Sequence, residues 1–395
     1  MSDDFSGDSV TEVTTTGWLQ RIGQSIVGAL IGIILVLGSI ILLWWNEGRA
    51  VEAIRALDRG AKQVVEAQAS AVDPAKDGKL VHLSGMMEAK SPARDTAFGV
   101  GADNLLRLKR TVEMYQWVEH KESHSHKNLG GSETTETTYT YRKEWSEQPH
   151  DSSRFHEPGG RANPPMPIRS ATLDAQEVRL GAYKLDRAVL DAVSAFTAFD
   201  PGQPTNQPSG YRKDGDTLYR GDDPAAPAIG DIKVHYAAVP AQTMSVVAAQ
   251  ANGALAPFSD SSGYKIALAE PGVVAANVMF KEKAHEESVL TWILRAVGFV
   301  LMLIGFCLMA SPLGVVLGVL PLFETLAEAG AFLMALIVSV PLTLIVIAAA
   351  WIAHRPLIGV GLAAVGIGLA FLLRKLHRPG PPPTTSFLPP GMLPR

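Results

Sequence analysis

Hydrophobic and polar positions fall into two regimes along this chain. Near the N-terminus, Ile26 to Trp45 is an apolar run without a single charge. Toward the C-terminus come Ala296–Phe323, Ala329–Ala353 and Pro356–Leu373, separated only by Glu324-Thr325-Leu326-Ala327-Glu328 and by His354-Arg355. A bilayer core needs roughly 20 apolar residues in a helix. Each run therefore predicts a transmembrane helix: residues 26–45, 288–323 with the membrane-entry segment, 329–353 and 356–373. Links this short predict that the last three spans form an antiparallel bundle. Trp44-Trp45 stand where interfacial aromatics are expected, and Arg295, at the edge of the second span, has the reach to meet the headgroups.

Residues 46–287 carry the patterns of a water-facing domain. From Glu47 to Ala69, Val51, Ile54, Leu57, Ala61, Val64 and Val65 recur at helical spacing, so the first span is expected to continue outward as a helix. Strand signals follow. Leu80–Gly85 is a short strand. Leu106–Val118 alternates, with Val112, Met114 and Val118 on one face and Thr111, Glu113, Tyr115 and Trp117 on the other. Thr134–Trp145 repeats that rhythm, and Gly130-Gly131 between them predicts a hairpin with a long tip. Asp151–Pro167 and Pro201–Gly210 read as loop, Leu185–Phe196 as helix, and residues 217–220, 232–236 and 244–249 as short strands. The expected fold class is a multi-pass α-helical membrane protein with four transmembrane helices and a large α+β, strand-rich extramembrane domain. Residues 1–25 form a polar N-terminal tail and 374–395 a basic, then Pro-rich C-terminal tail.

Charge bears on orientation. Asp3, Asp4, Asp8 and Glu12 precede the first run with Arg21 as the only base, and the run ends in Trp-Trp-Asn-Glu. Those features favour an uncleaved signal anchor over a cleaved signal peptide. Arg374, Lys375 and Arg378 directly follow the last span, and Lys/Arg beside a span prefer the cytoplasm. Arg49, Arg55, Arg59 and Lys62 pull the other way, but a domain this long translocates regardless. Both termini are expected inside and residues 46–287 outside. Ala, Gly and Pro usage suggests a GC-rich bacterial source, which makes the inner membrane and periplasm the expected locations.

Chemistry is sparse. A net charge of −4 leaves no nucleic-acid footprint. The single Cys307 excludes an internal disulfide and a Cys-based zinc site. His120, His124 and His126 have spacings that a transition metal accepts, and a solvated hairpin tip is the plainer reading. There is no Gly-rich phosphate loop, no His-Glu-x-x-His, no Gly-x-Ser-x-Gly and no aqueous Cys nucleophile, so no enzyme and no cofactor are expected. The apolar runs hold no mid-span charge of the kind pumps and transporters use. Gly28 with Gly32, Gly314 with Gly318 and Ala364 with Gly368 are spaced for close helix contact.

Several continuous blocks resemble the transmembrane protein 43 family, also called LUMA. They are Trp45-Asn46-Glu47-Gly48-Arg49-Ala50-Val51, Gly78-Lys79-Leu80-Val81-His82, and Leu108-Lys109-Arg110-Thr111-Val112-Glu113-Met114-Tyr115-Gln116-Trp117-Val118-Glu119. Thr138-Tyr139-Thr140-Tyr141 with Glu144-Trp145, Gly230-Asp231-Ile232-Lys233-Val234, Pro257-Phe258-Ser259, Thr291-Trp292-Ile293-Leu294-Arg295-Ala296 and Trp351 with Arg355-Pro356-Leu357 continue the likeness. It covers nearly the whole chain apart from the two tails. The resemblance implies the same four-span layout with a large lumenal domain, and a role in organising membrane protein complexes. It supplies no catalytic residues.

The expected function is thus a non-enzymatic membrane scaffold whose partners are membrane lipids, other membrane proteins and further copies of itself. A channel or transporter subunit is the second expectation, and a membrane-tethered metal-binding sensor or enzyme the third.

Overall fold

Helical periodicity that runs on past the first apolar stretch builds the longest element of the molecule. The computed structural model describes residues 9–202, 204, 206, 208–317 and 321–354. The main elements are β1 (Ser9–Thr16), α1 (Trp18–Gln63), β2 (Leu80–Ser91), β3 (Leu105–Lys127), β4 (Glu133–Ser146), β5 (Thr217–Arg220), β6 (Ile232–Pro240), β7 (Gln242–Ala251), β8 (Leu268–Pro271), α2 (Ala276–Leu317) and α3 (Pro321–His354). Helix α1 has 46 residues, about 70 Å at the usual rise. It passes from the apolar run into the domain without a break, as the spacing of Val51, Ile54 and Leu57 predicts.

The strands form two main sheets. In the first, β1 pairs with β4, β4 with β3, β3 with β6 and β6 with β5. In the second, pairings run from β7 to Ala254–Ala256, on to Tyr183–Leu185, to Gln176–Leu180, to β2 and back to β7. That circuit closes on itself in the manner of a small barrel. The sheets pack on one another through Val81, Leu83 and Val246 on one side and Leu106, Leu108, Val112 and Val234 on the other. From Leu106 to Val118 the even-numbered residues of β3 are buried, in the alternation expected from the sequence, and Leu106, Leu108, Val112 and Met114 enter this core.

Helices α1 and α2 attach to the barrel through Leu57, Leu80, Val247, Ile266, Met279 and Phe280. Away from the domain they run antiparallel and touch closely. A Cβ on Gly32 would lie 2.5 Å from the Gly305 carbonyl oxygen, and one on Gly305 2.8 Å from the Gly32 oxygen. Leu43 fits over Gly298 in the same way. Helix α3 joins them through Val346 against Leu43 and Met302. Three helices, Trp18–Gln63, Ala276–Leu317 and Leu326–His354, are long and apolar enough to cross a membrane. The expected fourth span, Pro356–Leu373, lies outside the described residues, as do Gly318, Ala364 and Gly368.

The structure corrects several expectations. The segment Glu324–Glu328 is not a link: α3 starts at Pro321, so these residues occupy its first turns. The two Glu are spaced i,i+4 on a helix, and a pair of charges between apolar runs mimics a loop when apolar content is the only signal. Phe323, expected at the end of the second span, belongs to α3. Helix in Leu185–Phe196 is confined to Arg187–Asp191, one turn capped by the Asp186 side chain. The hairpin has no long tip, because β3 runs to Lys127 and β4 resumes at Glu133.

The largest correction concerns the tail. Residues 1–25 are not simply a polar tail: α1 begins at Trp18, and Ser9–Thr16 is a strand paired antiparallel with Glu133–Thr140. Its β-branched Val and Thr residues suit an extended strand. Thr11 and Thr138 hydroxyls lie 3.2 Å apart, and Ser123 bonds Thr137 and Ser125 bonds Thr135 across the next pair of strands. At the tip, Arg21 donates to the Gly131 carbonyl and to Glu133, Trp18 donates to the Val315 carbonyl, and Lys127 pairs with Glu328. This polar ribbon thus reaches the end of the helices remote from Gln63. The pairing is at odds with a tail and a domain on opposite faces of a bilayer.

That pairing is directly testable. A Thr11→Cys/Thr138→Cys variant, oxidised in native membranes, should form an intramolecular disulfide seen as a reducible mobility shift. Absence of the cross-link, with the two cysteines labelled from opposite faces, would separate the tail from the ribbon.

Candidate functional site

The side chains at the point where the helices leave the apolar zone form a cluster of paired charges. Glu47, only 1% exposed, follows the last apolar turn of α1. Arg295 of α2 donates to both of its oxygens, at 2.6 and 2.8 Å, and the Trp351 indole of α3 donates to Oε2 at 2.7 Å. One carboxylate thus joins three helices. The Arg295 guanidinium also lies 4.7 Å from the Trp292 ring centroid. Arg295 therefore turns inward to a buried partner and not to the lipid headgroups expected from its place at the edge of a span. Two-pronged contact is the strong geometry for guanidinium and carboxylate.

The neighbouring residues extend the contact along α1. Asn46 is fully buried and donates to the Thr291 carbonyl at 3.1 Å. Gly48 is small enough for His354 to pass, since a Cβ there would lie 2.9 Å from His354 Nε2. Arg49 pairs with Glu287 at 2.5 Å and donates to the Thr291 hydroxyl, while Tyr264 donates to the other Glu287 oxygen at 3.0 Å. Burial and the Glu287 charge together push the Tyr264 phenol well above its ordinary range. Arg55 of α1 reaches α3 as well, donating to the His354 carbonyl at 2.6 Å. One turn further on, Arg59 donates through Nε, at 3.0 Å, and Nη2 to Asp260. That guanidinium, with Ser261 and Ser262 donors, holds the buried Asp260 carboxyl well below the usual carboxylate range.

The remaining motif residues gather in the first sheet. Tyr115 exchanges backbone bonds with Gly230 and Asp231. Its ring lies 5.3 Å from that of Trp145, over which Lys233 sits at 4.3 Å. Asp231 Oδ2 accepts from the Tyr219 hydroxyl at 2.5 Å and from the Ala228 amide at 2.8 Å. Gly230 has φ +95°, and a Cβ there would meet Pro164 at 2.9 Å. Gln116, fully buried, binds the backbone of Gln148 and His150. Asn163 brackets Trp117 with two backbone bonds, and Glu113 pairs with His235. These groups fix loops onto the sheet, and the motif residues thus divide into a helix clamp and a sheet brace.

The histidines do not converge on a centre. His120 bonds Glu144 at 2.5 Å, while His124 and His126 lie further along β3, opposite Glu136 and Thr134. Among the described residues no three His, Cys, Asp or Glu side chains are placed to hold a metal ion. A different histidine, His82, is buried and bonds Glu66 through Nδ1 and the Val274 carbonyl through Nε2. It ties β2 to the segment after α1 and to the approach to α2.

The family model for transmembrane protein 43 matches residues 114–356. The mouse protein of that name is 31% identical over 360 residues, covering 88% of this chain and 90% of the mouse chain. The human protein is 31% identical over 369 residues, 90% of this chain and 92% of the human one. A Drosophila melanogaster homologue is 29% identical over 346 residues, 86% and 92% of the respective chains. No solved structure matches the chain.

Two expected outcomes follow from the clamp. Removing one partner of a buried ion pair costs about 3–5 kcal/mol, whereas replacing both is nearly neutral. Glu47→Ala and Arg295→Met should each lower the thermal midpoint in detergent by many degrees. Glu47→Gln with Arg295→Met, which keeps an oxygen for Trp351, should recover most of that loss; equal losses in single and double variants would contradict the account. For Asp260, a depressed folded pKa means that its stabilisation is complete above the unfolded carboxylate pKa of about 4 and fades as pH falls below it. Asp260→Asn should destabilise at about pH 7, with a difference that shrinks toward about pH 3. A pH-independent difference in melting temperature would exclude the ion pair as its source.

Proposed function

The chain belongs to the transmembrane protein 43 family, and on that premise we propose that it is a non-enzymatic integral membrane scaffold. It organises membrane protein complexes or membrane domains through its helices and its strand-rich domain. The observation that carries this reading is the clamp on Glu47. The charged side chains at the helix–domain junction, Glu47, Arg49, Arg59, Asp260, Glu287 and Arg295, are engaged with each other. They lock the domain to the bundle as a rigid platform. Exposed apolar residues such as Ile34, Leu37, Ile41, Leu313, Ile337 and Leu344 then face lipid or partner helices. A bacterial source would make the cytoplasmic membrane its location.

A second reading is supported by the ribbon of β1, β3 and β4. Thr, Ser, Glu, Lys and His side chains extend beside the apolar helices, and such a surface requires water or protein around it. In an oligomer it would line an aqueous path, as a channel subunit requires. Solute flux in liposomes containing the purified protein would favour this reading over the first.

The scaffold reading expects discrete higher-order species after cross-linking in native membranes, together with defined membrane proteins that co-purify in mild detergent. A lone monomer in both experiments would eliminate it.

A further inference from the structure

Strand β8 ends the second sheet and pairs only with β7 among the described residues. The Gly272 amide bonds the Thr243 carbonyl. In an antiparallel ladder bonded pairs alternate, so Glu270 opposite Ser245 is the next bonded pair. Ala269, between Glu270 and Leu268, therefore turns its N–H and C=O away from β7, toward the open side. That side is not flat solvent. A cavity of about 300 Å³ lies along it, walled by Met279, Lys283 and Glu286 of α2 and by Asp191 and Ser194. Its floor is the strand edge itself, Ala267 to Pro271.

The chemistry of this groove selects its occupant. Asp191 is already paired with Arg107 and Arg187, and Glu286 with Lys283. Glu270 is half-buried and takes part in no ion pair among the described residues. Burial, then the charges of Glu286 and Glu282, raise its carboxyl pKa. A cation brought beside it would relieve that cost. The strand is short and ends in Pro271, which discourages long sheet-to-sheet pairing. It still leaves Ala269 as a donor and acceptor for one added chain, the mode of recognition known as β-augmentation.

We propose that this groove binds an extended basic peptide segment of a partner protein, which adds as a strand along β8 and places a Lys or Arg beside Glu270. The proposal rests on the scaffold reading and names the class of partner segment that the scaffold would hold.

The test uses the full chain in phosphatidylcholine nanodiscs and a fluorescein-labelled peptide of alternating Val and Lys. Fluorescence anisotropy should show saturable binding that weakens at least tenfold in Glu270→Lys. Ala269→Pro, which removes only the outward N–H, should weaken it similarly, and melting temperature checks that both variants stay folded. A peptide of alternating Val and Glu should not bind. Equal binding to all three proteins, no saturable binding, or a groove-dependent self-association lost in Glu270→Lys would overturn the proposal. Cross-linking of the same variants in native membranes separates the two claims. Partners retained in Glu270→Lys while the peptide fails to bind any of the proteins leave the scaffold reading standing without the groove. Peptide binding by a protein with no membrane partner leaves the groove standing and removes the scaffold.

Discussion

Everything in the arrangement of helices turns on one buried carboxylate. Removing a charged group from water costs several kcal/mol even after relaxation, so Glu47 is tolerable at its depth only with Arg295 and Trp351 in place. Those two residues come from different helices, and satisfying both fixes the rotation and register of α1, α2 and α3 together. Because α1 continues unbroken into the domain, the same contact sets how the domain sits on the bundle. The pairs Arg49 with Glu287 and Arg59 with Asp260 extend that setting upward. Below it, the Gly32–Gly305 approach lets the helix backbones meet. Close packing without the clamp would allow the helices to slide or turn; the clamp without close packing would leave Glu47 wet.

The ribbon imposes a second constraint. Strand β3 has 23 residues, about 75 Å when extended, close to the roughly 70 Å of α1. The two longest elements are joined at one end by the packed domain and at the other by Arg21, Gly131 and Glu133. Hydroxyl bonds across the three strands satisfy part of the ribbon's polarity internally. Lys121, Glu122 and His124 remain exposed, and such side chains do not face hydrocarbon. Lipid around the helices must therefore stop short of the ribbon, or protein or water must flank it.

What the sequence made legible follows from range. Alternation in Leu106–Val118 and the helical spacing of Val51, Ile54 and Leu57 are local signals tied to burial on one face, and they placed a strand and a helix correctly. Strand Ser9–Thr16 gives no such signal, because nearly all of it is exposed and its partner lies more than a hundred residues away. The motif residues Asn46, Glu47 and Arg295 were visible, but their convergence was not: Arg295 at the edge of a span looks the same whether it reaches for a phosphate or a carboxylate. Only the antiparallel register of α1 and α2 decides between them. The one-turn helix at Arg187 shows the reverse failure, where a periodic pattern over Leu185–Phe196 reflects packing of irregular backbone.

These constraints also explain why an open strand edge at β8 matters. Free edges invite unwanted pairing, and proteins blunt them by closure, cover or charge. The barrel circuit closes the edges of β2 and β7, β1 covers the edge of β4, and Lys121, Glu122 and Lys127 put charge along the outer reach of β3. At β8 the edge is confined instead, by α2 and by the Asp191–Ser194 segment. Such walls exclude a second sheet while admitting a single extended chain, and Glu270 adds a preference for positive charge. Since α2 is held to Glu47 through Arg295, the width of that opening is set by the same clamp that orients the domain.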